Sequence, residues 1–141
     1  MNIKRIVLIT ASLGIALASS AQAQSAPNIS TTDITTSGLS ASTGLQNAVS
    51  NTYFVNDGRT LLIVKGGGSA VTGTAVTQAG TISQAGYGTV SLTNQTFSVP
   101  SGAVVVVGPF PQGRWNNAYG NVAVSFTSVT GVSATAIRLP R

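Results

Sequence analysis

Histidine, cysteine and glutamate are absent from the 141 residues, and the acidic residues are only Asp33 and Asp57. Each absence excludes chemistry. Without cysteine there is no disulfide framework, no thiolate metal site and no lipid attachment on sulfur. Without histidine, cysteine or glutamate, the groups that usually move protons near neutrality are missing. A glycosidase-type carboxylate pair would have to be Asp33 and Asp57, the first of which lies in a Ser/Thr-rich approach segment. Calcium and zinc sites need several carboxylates or imidazoles, which the chain cannot supply. A Ser–Lys pair built on Lys65 has no activated serine marked beside it. The expectation is a non-enzymatic protein with no cofactor, no metal and no small-molecule substrate.

Charge is scarce in general. Charged residues make up 6% of the chain, against about a quarter in ordinary soluble domains. The basic residues retained beyond the N-terminus, Arg59, Lys65, Arg114, Arg138 and Arg141, are scattered. They form no run of the kind that neutralises successive phosphates, so nucleic acid is not an expected partner. Thr, Val, Ser, Ala and Gly dominate instead, a composition of β-structure with many turns. The length suits one domain with a real core.

Residues 1–23 read as a secretory signal peptide: Lys4 and Arg5, an apolar run from Ile6 to Ala18, then Ala21-Gln22-Ala23 as an Ala-x-Ala cleavage site. The run is short for a membrane span of about 20 residues, which favours removal over anchoring; the alternative is an uncleaved N-terminal helix. Removal leaves five of the seven basic residues against two acids, net +3. Residues 24–50, rich in Ser, Thr, Ala and Gly, read as an extended arm, with a short strand over Thr31 to Thr36 broken by Ser37-Gly38. Asn28-Ile29-Ser30 and Asn94-Gln95-Thr96 match the glycosylation sequon by chance.

Residues 51–141 read as a single antiparallel β-sandwich, Ig-like or jelly-roll-like, because strand and turn signals recur at roughly 8–12-residue spacing. The organising stretch is Asn56 to Gly68. Asn56, Asp57 and Gly58 reverse the chain, Arg59 enters the strand, and Thr60 to Lys65 forms it. The unbroken aliphatic character of that strand predicts burial on both faces. Gly66-Gly67-Gly68 ends it; a phosphate loop would need a following Lys-Ser/Thr and a helix, whereas Ala70-Val71-Thr72 opens a strand. Further strands are expected over Thr52–Val55, Val71–Thr77, Gly88–Leu92, Gln95–Val99, Ala103–Val107, Asn121–Phe126 and Val132–Leu139, with Gln78 to Gly88 as loop. Ala103 to Val107 again reads as covered on both faces, and two prolines in Gly108-Pro109-Phe110-Pro111 stop it. Pro100-Ser101-Gly102 is a turn. The expected core includes Leu61, Ile63, Val105, Val107, Val122, Val124 and Phe126.

Two features bear on function. Gln112 to Gly120 reads as a structured loop carrying Arg114, Trp115 and Tyr119, with Phe110 just before it. Such a set forms a protein contact surface, a sugar-stacking platform, or a plug over the end of the core. Phe110 fits the plug best, and Trp115 and Tyr119 stay open between the three. The second feature is the valine run Val104 to Val107. At a sheet edge such a segment pairs with other chains, and Pro109 and Pro111 are the only guards near it. Assembly into a larger structure follows as an expectation.

The order of motifs resembles a family of small tailed-phage proteins. It comprises Asn56-Asp57-Gly58-Arg59-Thr60, a hydrophobic strand to Lys65 and glycines, Val104 to Val107 with Gly108-Pro109-Phe110-Pro111, Asn116-Asn117-Ala118-Tyr119-Gly120-Asn121-Val122, and Ala134-Thr135-Ala136-Ile137-Arg138-Leu139. Thr32-Asp33-Ile34 with Ser37-Gly38-Leu39 looks like the start of such proteins, and the similarity covers most of 31–139. The family consists of virion structural or head-decoration-like β-sandwiches. The resemblance implies a bacteriophage structural protein, a virion location and protein partners, either a capsid or further copies of itself. Residues 1–23 depart from it, since a protein assembled onto a capsid in the cytoplasm needs no export signal. They leave a second reading, an exported bacterial surface or periplasmic subunit of phage origin, with the membrane touched only through that segment. A carbohydrate-binding module, resting on Trp115 and Tyr119, is the third.

Overall fold

A computed structural model describes residues 27–35, 38, 44–78, 80–86 and 88–141. Residues 1–23, read above as a signal peptide, and part of the segment 24–50 lie outside the described residues.

The chain is a β-sandwich. Its strands are β1 (Thr31–Asp33), β2 (Gln46–Asn47), β3 (Asn51–Val55), β4 (Thr60–Lys65), β5 (Val71–Val76), β6 (Thr81–Gln84), β7 (Gly88–Ser91), β8 (Gln95–Val99), β9 (Val104–Val107), β10 (Asn121–Phe126) and β11 (Ser133–Arg138). One sheet runs β1-β11-β4-β9, with β2 also on β11; the other runs β3-β10-β5-β8. From β2 onward successive sandwich strands alternate between the sheets, except that β5 and β8 are neighbours in one sheet. With β1 set aside, the first sheet joins the first, last, third and sixth of the remaining sandwich strands and the second joins the second, seventh, fourth and fifth. That is the order of a jelly roll, and it decides between the two sandwich types expected. All pairings in the two sheets are antiparallel except β1 with β11, which is parallel. Residues 78–88, expected as loop, carry β6, which forms a separate hairpin with β7.

Local chemistry explains the best-defined strands. β4 pairs on both sides, with β11 along Thr60–Lys65 and with β9 along Leu62–Lys65. Its aliphatic run faces the β3-β10-β5-β8 sheet through Leu62 and Val64, both fully buried. This corrects the expected inward set: Ile63 is buried but outside the main core cluster, and Leu61 is half-buried. β10 follows its alternation, with Val122, Val124 and Phe126 inside. β11 answers with Ala134 and Ala136, whose small side chains let the two layers approach. Between them lie Phe54, Val99, Val71 and Val132. Two buried threonine hydroxyls are paired locally, Thr52 to the Val49 carbonyl (3.1 Å) and Thr60 to that of Val55 (3.4 Å).

Two further expectations are corrected. The valine run of β9 is not covered on both faces: Val105 and Val107 pack on the core, while Val104 and Val106 are 52% and 56% exposed. The described part of residues 24–50 is no free arm either. It supplies β1 and β2 to the edge of β11, and Ile29 and Ala48 sit in the core cluster. Among the described residues the only helix is a single turn, α1 (Gln112–Trp115), inside the segment expected as a loop.

Candidate contact surface

The turn Asn56-Asp57-Gly58-Arg59 is built by its own side chains. Gly58 N–H donates to Asn56 Oδ1 and Arg59 N–H to Asp57 Oδ1, each at 3.0 Å, and Gly58 takes φ +90°, which a side chain would resist. Asn56 does more than turn the chain. It is 3% exposed, and its Nδ2 donates to the Phe110 carbonyl (2.7 Å) and to Asn116 Oδ1 (2.6 Å). Asn116 Nδ2 returns a bond to the Asn56 carbonyl (2.9 Å), and Asn56 N–H donates to Gly120 O (2.9 Å). The β3–β4 turn and the segment 110–120 are therefore one clasped unit.

Within that unit Phe110 and Trp115 face the core, each 3% exposed. Phe110 meets Phe54 edge-on at 5.4 Å and Trp115 at 6.0 Å between ring centroids. Arg114 lies over the Trp115 ring, its guanidinium carbon 4.5 Å from the centroid, and Nη2 donates to the Thr93 carbonyl (2.9 Å). Trp115 is thus the plug over the core end and offers no face to a sugar or a protein. Arg114 is half-buried and directed inward. Tyr119 alone of the three stands out, 64% exposed at the tip of a turn held by Asn117. Asn117 Oδ1 accepts the N–H groups of Tyr119 (2.9 Å) and Asn121 (3.0 Å).

A second feature lies where β1, β4 and β11 end. Asp33, Asp57, Arg59, Arg138 and Arg141 line an open cleft of about 400 Å³, so both acids of the chain face one space. Asp57 Oδ2 accepts Arg59 Nη2 at 2.6 Å and lies 3.4 Å from Arg138 Nε, while Arg138 Nη1 is 3.2 Å from Asp33 Oδ1. Arg59 Nη1 also donates to the Leu139 carbonyl (2.8 Å). Desolvation pushes the Asp57 carboxyl up, but the Arg59 backbone and guanidinium bonds, with the charges of Arg59 and Arg138, outweigh it. The carboxyl is held below the usual carboxylate range. Such a group is a firm acceptor and a poor proton donor at neutral pH. The network ties β1 to β4 and β11. Among the described residues no three of His, Cys, Asp or Glu come together as a metal-binding group.

Sequence reasoning placed the turn and Tyr119, but gave no sign of the Asn56–Phe110–Asn116 clasp or of the Asp33–Arg138 pair. Neither has a local signature, since the partners are 54 or more residues apart. No family model, curated protein or solved structure matches the chain.

Proposed function

We propose that the chain is a non-enzymatic structural subunit of a phage-like particle, a head-decoration or head-associated protein working through surface contacts. The observation that carries this is the clasp. The most specific part of the resemblance to tailed-phage proteins is the pairing of Asn56-Asp57-Gly58-Arg59-Thr60 with Gly108-Pro109-Phe110-Pro111, and Asn116 opens the next motif. These segments are remote in sequence and are bonded to each other through Asn56, Phe110 and Asn116. The residues that carry the resemblance therefore also form a long-range contact of this fold, which supports reading them together as one feature. The jelly-roll order supports the reading by analogy, because viral capsid domains use it repeatedly, as do lectins and cupins. Asp57, the carboxylate best placed for chemistry, is committed to arginines.

Tyr119 is the contact residue of this reading. It combines a large exposed ring with a turn fixed by Asn117, so little side-chain and loop order is lost on docking. The test is to express the chain with the genes that neighbour its own, band the resulting particles on a density gradient, and measure the chain in the particle fraction. It is expected there at a fixed ratio to the major capsid protein, and Tyr119→Ala should lower its affinity by about 2 kcal/mol. Recovery of all the protein as free, processed chain in the periplasm or medium would refute the particle reading. It would favour the exported subunit, for which residues 1–23 are the one specific observation.

A further inference from the structure

We propose that β9 is a self-pairing edge, through which two copies of this chain join their β1-β11-β4-β9 sheets about a two-fold axis at Val105.

The four edges of the sandwich are treated unequally. β11 carries β1 and β2 along its outer side. β3 is covered by Asn28, which imitates a strand: its N–H donates to Tyr53 O (3.0 Å), its Oδ1 accepts Tyr53 N–H (2.8 Å), and its Nδ2 donates to Asn51 O (2.8 Å). Thr31 Oγ1 adds a bond to Val55 O. The other two edges, β8 and β9, have no such cover among the described residues. They differ in chemistry. β8 turns the hydroxyls of Thr96 and Ser98 outward, whereas β9 turns out Val104 and Val106, both more than half exposed.

The ladder fixes which backbone groups of β9 are unpaired. Gly66 N–H donates to Ala103 O (2.8 Å), and the register continues Lys65↔Val104, Val64↔Val105, Ile63↔Val106, Leu62↔Val107. Hydrogen-bonded and non-bonded pairs alternate in an antiparallel ladder. Val105 and Val107 therefore aim their N–H and C=O at β4, and Val104 and Val106 aim theirs away from the sheet. The same two residues carry the exposed side chains. An unpaired strand edge is complemented by another strand edge, and this one is complementary to itself. With the axis at Val105, Val104 of one copy faces Val106 of the other. Each of the two pairs then exchanges both backbone bonds, about four in all. The four valines come together on one face, and Val105 meets its own copy on the inner side.

Charge decides for a second copy. A basic protein ordinarily repels itself, but no Asp, Glu, Lys or Arg occurs from Gly66 to Gly113, the stretch that supplies β5 to β9. Lys65, opposite Val104 on β4, is the nearest charge along the sheet. In the paired arrangement the two copies of Lys65 stand three strand spacings apart, about 14 Å before the register offset is added. That exceeds the Debye length of roughly 8 Å at physiological salt, so their repulsion is screened.

The contact does not depend on the particle reading, and it is tested on the free, processed protein. Sedimentation velocity over a concentration series should show a reversible species of twice the monomer mass. Val106→Lys and Val104→Lys, both at exposed positions, should weaken association at least tenfold with thermal melting of the monomer unchanged, whereas Thr96→Lys on β8 should leave it intact. The absence of native cysteine allows the register to be read directly: Val105→Cys, treated with oxidised glutathione, should give a covalent dimer, and Thr96→Cys should not. A wild-type protein that stays monomeric to millimolar concentration overturns the proposal. So does a dimer lost on Thr96→Lys but kept in both valine variants.

Discussion

Replacing Asn56 by alanine tests whether the clasp carries the stability that its geometry implies. Three side-chain bonds disappear: Nδ2 to Phe110 O, Nδ2 to Asn116 Oδ1, and the Asx bond from Gly58 N–H. The Phe110 carbonyl bond is buried, so its acceptor is left without water, at a cost of about 1–3 kcal/mol. The other two are partly buried and worth about 0.5–1.5 kcal/mol each. Asn116 Nδ2 keeps its bond to the residue-56 carbonyl, which limits the damage. The sum is roughly 4 kcal/mol, which lowers a urea midpoint by about 2 M for a typical m of about 2 kcal/mol/M. Asn56→Asp separates the contributions. It keeps the acceptor for Gly58 but sets a carboxylate against two other oxygens, Phe110 O and Asn116 Oδ1. It should cost at least as much at neutral pH and recover part of the loss in acid, where a protonated carboxyl regains one donor. An Asn56→Ala protein within 0.5 kcal/mol of wild type, with an unchanged m, would refute the assignment of Asn56 as a structural clasp.

The remaining stability predictions concern two other residues. Trp115→Ala should destabilise the monomer by about 3–5 kcal/mol, the loss for a buried large aromatic, and Trp115→Phe by clearly less; a Trp115→Ala protein that melts like wild type but loses particle occupancy would make Trp115 a contact instead. Asp57→Asn keeps the acceptor for Arg59 N–H and loses the charge on Arg59 and Arg138, about 1 kcal/mol at neutral pH. Because the folded carboxyl is held below its ordinary value of 3.8, its stabilisation is fully present above that pH and is lost as pH falls through the lowered value. The difference between wild type and variant should thus close in acid, and a widening difference would contradict it.

Much of the sandwich could be read from the chain, and the misreadings share a cause. β10 announces its inner face because Val122, Val124 and Phe126 alternate with smaller or polar residues. β4 and β9 do not, because a run of one residue class carries no period-two signal. The inward set of β4 was thereby displaced by one residue, from Leu62 and Val64 to Leu61 and Ile63. The same lack of contrast made β9 look doubly covered when it is an edge. Gly66 and Gly67 read as punctuation, yet neither takes positive φ. A Cβ on Gly66 would overlap the Pro100 carbonyl and one on Gly67 the Thr130 carbonyl, so both are close-approach positions that only the fold reveals. Ile29 stands alone between Asn28 and Ser30, and Ala48 is a small residue beside the larger and exposed Val49, so neither marks a core. The site divides the same way. The turn bonds of Asn56 and Asp57 are local and legible. The reach of Asn56 to Phe110, and the burial of Trp115 in a segment that reads as a loop, depend on how the two sheets close.

The distribution of charge follows from how the edges are treated. Sheet proteins commonly guard an exposed edge with lysine, proline or a covering segment. Here the covering segment and the charges stand together. β1 lies along β11, and Asp33 at its end is held by Arg138, which also faces Asp57 beside Arg59. An ionic cluster of that kind fixes the register of a three-residue strand that backbone pairing alone would hold weakly. Nothing comparable protects the opposite side, where β8 and β9 are joined through Pro100-Ser101-Gly102 within a stretch free of charge. A monomer that evolved to stay apart would place at least one of its basic residues on the valine edge. Placing none there, while Asp33 and the neighbouring Asp57 engage the arginines beside the covered edge, is what the proposed pairing of β9 with a second copy leads one to expect.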